Sequence, residues 1–302
     1  MVKTQRWKRG GSTGEGAVPE TGSATEEVSQ GGDTVLTEAP PDDETLTTSV
    51  PADPDAPDAP LRTSGRRRLR DRLPVLLMQA AHPRQAVLTA AGLAAAAAIS
   101  GRPTREVAVV LATVLVGQVI LGWHNDLVDR RRDARHDQPG KPLATGRLDP
   151  GTAWFALTCA VLLLVPLSIT SGITAGSAYL LSLGVGLLGN VVLRKGRLSW
   201  LPWAVSFGLF PAYLSYGGWG GAFEGTPPTW QMTVLFALLG VGIHVLRALW
   251  GLVADNEDGW TYLPLTLGLR LGATRLLALA GVYTSVVLVL IAFAATYVGL
   301  GQ

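Results

Sequence analysis

The chain has 302 residues, of which 48% are hydrophobic and 16% are charged. Soluble domains carry about 25% charged residues, so this composition excludes an ordinary soluble protein and favours helices buried in a bilayer. The formal net charge of +2 is too small to indicate a polyanionic partner. The arginine runs adjoin apolar segments, which favours membrane topology over binding to nucleic acid.

Residues 1–75 are predicted to form a disordered cytoplasmic tail. The first part of this tail is rich in Gly, Ser, Thr, Pro, Asp and Glu, and such a segment cannot bury enough apolar surface to offset the entropy of ordering it. A basic cluster at 66–72 comes directly before the first apolar segment. This cluster either contacts anionic lipid headgroups or is a solvated linker, and both interpretations place it in the cytoplasm.

Apolar segments predict an all-α, polytopic transmembrane helical bundle over residues 76–302, with about seven spans. Each segment has about 20 residues, the length at which a helix crosses about 30 Å of hydrocarbon. Backbone groups in lipid must be hydrogen-bonded within their own segment, which requires helices. The predicted segments are 85–101, 105–124, 152–171, 173–193, 200–217, 231–250 and 274–298.

The distribution of basic residues predicts the orientation of the bundle. The loop 217–229 contains neither Lys nor Arg. The Lys- and Arg-rich loops are 66–72, 130–147, 194–197 and 270–275. The positive-inside rule places these loops, and with them the N-terminus and the acidic motifs, on the cytoplasmic side of the cell membrane. A short turn with Arg102 and Arg105 is the exception.

Four polar residues close the second predicted span in the pattern N-D-x-x-D-x-x-x-D, namely Asn125, Asp126, Asp129 and Asp133. On a helix Asn125, Asp129 and Asp133 share one face, with Asp126 beside them. Like charges at this spacing repel and need a counter-charge, and oxygen ligands of this kind suit Mg²⁺. The alternative is a solvated acidic face neutralised by Arg130–Arg132. The position at the end of an apolar span favours the metal site.

At these residues the sequence resembles the UbiA prenyltransferase superfamily. The pattern matches the first signature of the family in full, and residues 141–148 (KPLATGRL) are similar to its K-P-x-A-x-G-R loop. The resemblance covers about residues 80–300. It implies that a prenyl group passes from a prenyl diphosphate to a lipophilic or aromatic acceptor in the membrane, with Mg²⁺ as the cofactor. Membrane lipids are the other expected partners.

The resemblance also implies roles for individual residues. The expected catalytic residues are Asp126, Asp129 and Asp255. The expected metal ligands are Asp126, Asp129, Asp133, Asp255 and Asp258. The residues expected to contact the diphosphate are Asn125, Lys141, Arg147 and Arg247. For Lys141 and Arg147, a role in topology and headgroup binding is an equal alternative.

The second acidic motif departs from the D-x-x-x-D pattern of the family. Residues 263–268 (LPLTLG) place Asp255 at the second Asp of the pattern, so the first Asp falls on Gly251. An upstream polar position falls on Arg247. Glu257 or Asp258 then substitutes for the missing ligand, or Arg247 contacts the diphosphate and replaces part of the metal charge, or the site no longer binds metal.

Three functions remain open because of this departure. The preferred interpretation is an active membrane prenyltransferase. The alternative is a catalytically impaired UbiA-like protein that binds an isoprenoid lipid or acts as a partner of another enzyme. A transporter with an acidic cation site is less favoured, because paired spans broken by Gly or Pro are not evident.

Overall fold

The computed structural model describes residues 71–138, 140–218 and 225–296, and within these ranges the regular secondary structure is entirely helical. The all-α prediction is therefore confirmed. The helices are α1 Leu73–Ala80, α2 Pro83–Ile99, α3 Thr104–Arg135, α4 Pro150–Ile169, α5 Ile173–Gly189, α6 Leu201–Gly208, α7 Phe210–Ser215, α8 Trp230–Ala248, α9 Leu252–Glu257, α10 Leu263–Leu271 and α11 Ala273–Ala294. Residues 1–70, which include most of the predicted tail, lie outside the described residues.

All of the predicted apolar segments coincide with helices. Among the described residues, α3, α4, α8 and α11 are long and apolar enough to cross a membrane, and α5 is a shorter apolar helix. Large apolar side chains such as Phe155 and Leu88 point outward, as lipid contact requires. The chain is a multi-pass membrane protein, and the number of spans stays a prediction.

The predicted span at 200–217 is divided into two short helices, α6 and α7, that meet at Leu209. Pro211 lies in the first turn of α7. It has no N–H to donate to the carbonyl four residues earlier, which accounts for the break. Aromatic residues of α7 then pack on α5, where the rings of Tyr179 and Tyr213 lie 5.0 Å apart.

Arg102 explains the exception in the charge pattern. Its side chain is buried, pairs with Glu106 at 3.2 Å, and donates hydrogen bonds to the carbonyl oxygens of Leu214 and Gly217. These carbonyls lie at the C-terminal end of α7, where helix carbonyl groups lack partners within the helix and a cation is favoured. Arg102 therefore stabilises a helix end, and its position does not indicate which side of the membrane this turn faces.

Three short helices were not predicted, because they are too short to cross a bilayer. Helix α1 buries Leu76 and Ala80 against the loop between α3 and α4. Helices α9 and α10 pack with the end of α8 and the start of α11 around Tyr262. These helices hold in place the segments that carry the acidic motifs.

The elbow between α1 and α2 lies directly against α3. A side chain at Gly122 of α3 would place its Cβ atom 2.7 Å from the carbonyl oxygen of Ala81. His82, the next residue, has φ 52° and ψ 59°, a left-handed conformation that is uncommon outside glycine. The close approach at Gly122 brings the imidazole of His82 over Asp126, one turn further along α3.

We expect Gly122→Ala to lower stability by about 1–3 kcal/mol, because the added methyl group meets backbone atoms that cannot move away freely. Thermal unfolding in detergent measures the effect. Gly184→Ala in α5 is the matched control, since a Cβ atom there has no neighbour within 4 Å. Equal melting temperatures for the two variants would contradict the close packing of the elbow.

Candidate active site

The first acidic motif lies on α3, which continues well past the predicted end of the span to Arg135. Asp126, Asp129 and Asp133 are 1%, 8% and 5% exposed. Their spacing of three and four residues places them on one face of the helix. Asn125 lies beside this face and lines the neighbouring cavity instead. The structure therefore brings the predicted carboxylates together. We call residues 125–133 the first acidic segment.

Side chains from three other parts of the chain contact this face. The ammonium group of Lys141 lies 2.7 Å from Asp133 and 3.2 Å from Asp126. The imidazole of His82 lies 2.9 Å from Asp126. Arg194 pairs with Asp129. Of the arginines proposed in the alternative interpretation, Arg130–Arg132, none forms an ion pair with these three carboxylates in the part of the chain that the structure describes.

The loop after α3 delivers Lys141 to this position. Leu143 and Leu148 of the loop are buried against α1. The backbone amide of Leu148 donates to the carbonyl of Pro142 and closes the loop. Burial alone would lower the pKa of Lys141, but the charges of Asp126 and Asp133 outweigh it and raise the pKa above its usual value. Lys141 is therefore a cation between two carboxylates at neutral pH.

Arg147, which was predicted to contact the diphosphate, lies apart from the two acidic motifs. Its guanidinium lies 3.6 Å from Asp71 and 3.5 Å from the side-chain oxygen of Gln79. No described aspartate of either acidic motif is among its partners. These contacts tie Arg147 to the start of the helical bundle, and both its contact with the diphosphate and its role near the headgroups stay predictions.

The second acidic motif lies next to the first. We call residues 251–258 the second acidic segment. Arg132 of α3 donates to both Asp255 and Asp258, and the hydroxyl of Tyr262 donates to Asp255. Burial raises the pKa of Asp255 despite these donors, whereas the hydrogen bond from Arg132 lowers the pKa of the more exposed Asp258. Burial, followed by the contact with Asp255, raises the pKa of Tyr262.

A cavity of about 290 Å³ opens beside the acidic face. His82, Asn125 and Arg247 are polar residues of its lining. Its apolar lining includes Leu121, Trp203, Phe207, Ile243 and Leu246. The guanidinium of Arg247 lies over the ring of Trp203, 5.1 Å from its centre. A cavity that combines charged and polar groups with apolar side chains suits a molecule with an anionic head and a hydrocarbon chain.

Comparison with known proteins identifies the family. A model of the UbiA prenyltransferase family matches residues 86–301, more than two thirds of the chain. The chain belongs to the UbiA prenyltransferase family. The resemblance seen in the sequence is thereby confirmed.

Two relatives of this UbiA-family protein show the extent of the similarity. Chlorophyll synthase from the chloroplast of Arabidopsis thaliana is 26% identical over 192 residues, which cover 59% of this chain and 49% of that protein. The chain thus spans about half the length of this curated relative. A UbiA homologue from Archaeoglobus fulgidus, solved bound to GPP and Mg²⁺, superposes with a TM-score of 0.57 and 14% identity. The match covers 74% of this chain and 78% of that one, and it shows a shared fold.

The donor chemistry of the first acidic segment suits Mg²⁺. This ion commonly uses one or two carboxylates and completes its shell with water and phosphate oxygens. Asp126 and Asp129 would supply such carboxylates in this UbiA-family chain, with Asp133 nearby. Among the described residues, no group of three or more His, Cys, Asp or Glu side chains is arranged to hold a metal by itself. Water and the phosphate oxygens of a substrate would complete the shell.

Several residues of the site were missed or assigned otherwise from the sequence. His82 and Tyr262 carry no motif, and Arg194 was assigned only to topology. Trp203 lines the cavity and Trp260 lies beneath Arg132. The His-Pro pair at 82–83, between two apolar runs, is the only sequence signal that pointed to the elbow.

Proposed function

We propose that this protein is an integral membrane prenyltransferase that transfers a prenyl group from a prenyl diphosphate to a lipophilic or aromatic acceptor, with Mg²⁺ as the cofactor. The observation that carries the proposal is the position of the acidic face of α3 beside a cavity lined by both polar and apolar side chains. Family membership supports the reaction class. The GPP and Mg²⁺ bound to the Archaeoglobus fulgidus homologue support the substrate class and the ion.

The side chains of the site have different roles in the proposed reaction. Lys141 and Arg247 bind phosphate oxygens, and Asn125 orients the diphosphate in the cavity. Trp203 and Phe207 pack against the hydrocarbon chain. Mg²⁺ bound by Asp126 and Asp129 would add charge stabilisation for the departing diphosphate.

The bond changes are those of an allylic substitution. The C–O bond of the prenyl diphosphate breaks, and its electron pair leaves with the diphosphate. The acceptor supplies the electron pair of the new bond and loses a proton. Exclusion of water by the bound substrates would protect the allylic carbon from capture.

The orientation of the protein is part of the proposal. The basic loops at 130–147 and 194–197 carry Lys141 and Arg194, which neutralise the acidic face. The positive-inside rule then places the diphosphate site at the cytoplasmic side of the cell membrane.

A competition experiment tests this function against its alternative, an isoprenoid-lipid binder. Radiolabelled geranylgeranyl diphosphate is bound to the detergent-purified protein with MgCl₂ or EDTA and displaced by unlabelled geranylgeranyl diphosphate, monophosphate or alcohol. We expect binding only with MgCl₂, and displacement in the order diphosphate, monophosphate, alcohol. Displacement by the alcohol as effective as by the diphosphate, with no effect of EDTA, would favour the lipid binder.

A further inference from the structure

Two carboxylates of the second acidic segment, Asp255 and Asp258, have a partner at both oxygens. One oxygen of Asp255 accepts from Arg132 and the other accepts from the hydroxyl of Tyr262. One oxygen of Asp258 accepts from Nε of Arg132, and the other lies 3.2 Å from Nε2 of His136. A metal ion at this pair would compete with the cationic guanidinium of Arg132 for the same two carboxylates.

The first acidic segment differs in this respect. His82 and Lys141 both contact the Oδ1 atom of Asp126, and Arg194 contacts only the Oδ1 atom of Asp129. The Oδ2 atoms of Asp126 and Asp129 take part in none of the hydrogen bonds or ion pairs among the described residues. Each of these carboxylates therefore keeps one oxygen for a further ligand.

Gly251 removes a ligand from the second segment at the place where the family pattern has its first Asp. A Cβ atom at this position would lie 3.1 Å from Oδ2 of Asp255, so a side chain there would adjoin that carboxylate. The second segment therefore lacks this carboxylate, Asp255 and Asp258 are engaged by Arg132, and the exposed Glu257 lies 3.4 Å from Nδ1 of His136. The donor set does not fit a resident Mg²⁺ ion.

Arg132 is held from two directions. Asp255 and Asp258 bind its Nη2 and Nε atoms, and its guanidinium lies over the ring of Trp260, 4.3 Å from the centre. The same ring has Arg194 at 5.4 Å and Lys195 at 5.8 Å. The backbone amide of Thr261 donates to the carbonyl of Lys195 and fixes that loop beside the ring. The ring of Trp260, just after the second acidic segment, is thus contacted by three cationic side chains next to the acidic face of α3.

We propose that the second acidic segment binds no metal ion and instead positions Arg132, which supplies the positive charge on this side of the diphosphate. This inference rests on the proposed function and makes it more specific. It assigns one metal ion to each bound diphosphate, and that ion lies at the first acidic segment. Asp255, Asp258 and Trp260 are then positioning residues. The earlier expectation that Asp255 and Asp258 ligate metal is replaced by this role.

Thermal unfolding of EDTA-treated protein tests the positioning role without any substrate. In an empty metal site, Asp255→Asn removes a repelling charge and raises the melting temperature. In the proposed arrangement, it removes one of the two carboxylate charges that hold Arg132 and lowers the melting temperature by about 5 °C. Arg132→Gln should also lower it, and the double variant should lose much less than the sum of both losses. A rise in Asp255→Asn, or fully additive losses, would overturn the proposal.

Counting bound Mn²⁺ tests the metal assignment. Electron paramagnetic resonance measures Mn²⁺ per protein at saturating inorganic pyrophosphate. We expect one ion per chain in the wild type and in Asp255→Asn, and fewer in Asp129→Asn. Two ions in the wild type, one of which is lost in Asp255→Asn, would overturn the proposal. If neither Mn²⁺ nor pyrophosphate binds, the proposed function fails, while the melting temperatures still decide whether Asp255 positions Arg132.

Discussion

The double variant Asp126→Asn/Asp129→Asn is expected to bind geranylgeranyl diphosphate at least about 100-fold more weakly than the wild type in the presence of Mg²⁺, which corresponds to about 2.7 kcal/mol. These residues each keep one carboxylate oxygen that no described side chain contacts. An amide at either position keeps the shape of the side chain but loses the charge that Mg²⁺ requires. Equilibrium binding of the radiolabelled ligand to detergent-purified protein measures the change.

Asp137→Asn is the matched control for this variant. Asp137 follows α3 on the same side of the membrane and is exposed, and its left-handed backbone, with φ 46°, is one that asparagine also adopts. We expect its affinity to equal that of the wild type, and size-exclusion chromatography should show that all variants are folded. Unchanged Mg²⁺-dependent binding in the double variant would place the diphosphate elsewhere.

The second large effect concerns the cation between the two carboxylates. Lys141→Met leaves Asp126 and Asp133 without their common partner in a largely buried site, and we expect a loss of stability of about 2–4 kcal/mol in EDTA. Added MgCl₂ should recover more stability in this variant than in the wild type, because a bound divalent ion replaces the missing charge. Thermal unfolding with and without MgCl₂ measures both effects.

The pH dependence of this contribution follows from the direction of the pKa shift. The pKa of Lys141 is raised in the folded protein, because the two carboxylates outweigh burial. Its stabilising effect is therefore complete below the unfolded pKa of about 10.4 and is lost only as the pH rises through the folded value. The difference between Lys141→Met and the wild type should stay constant between about pH 7 and 9.

Arg197→Met is the control for Lys141→Met. Arg197 is an exposed cation on a neighbouring basic loop and has no ion pair among the described residues. It should leave the melting temperature within about 1 °C of the wild type, since exposed charges contribute little. If MgCl₂ stabilised both variants equally, the ion would not be replacing the charge of Lys141.

The sequence predicted the helical bundle and the first acidic segment for physical reasons. A bilayer requires helices of a minimum length, so seven apolar segments were found and all of them coincide with helices. The spacing of the acidic residues on a helix is fixed by 3.6 residues per turn, so their common face was predictable. The prediction placed Asn125 on this face, but the structure has Asp126 there instead. The elbow and the loop after α3 approach α3 on the side of Asp126.

The partners of these carboxylates were not predictable from spacing. His82 is 44 residues from Asp126 in the chain, and its contact depends on the close approach of the elbow at Gly122. In the sequence, Arg194 cannot be distinguished from any other arginine of the basic loops. Arg132 was considered a local neutraliser of α3, but it reaches the second acidic segment more than 120 residues later. Such contacts depend on tertiary packing.

Diffraction from crystals grown with Mn²⁺ and a geranylgeranyl thiolodiphosphate, whose C–S bond resists cleavage, tests the central claim most directly. Anomalous scattering locates the metal, and the difference density locates the diphosphate. The account predicts a single Mn²⁺ ion coordinated by Asp126 and Asp129, with the diphosphate between this ion and Arg247 and the prenyl chain along Trp203 and Phe207. A diphosphate outside this cavity, or a Mn²⁺ ion coordinated by Asp255, would contradict it.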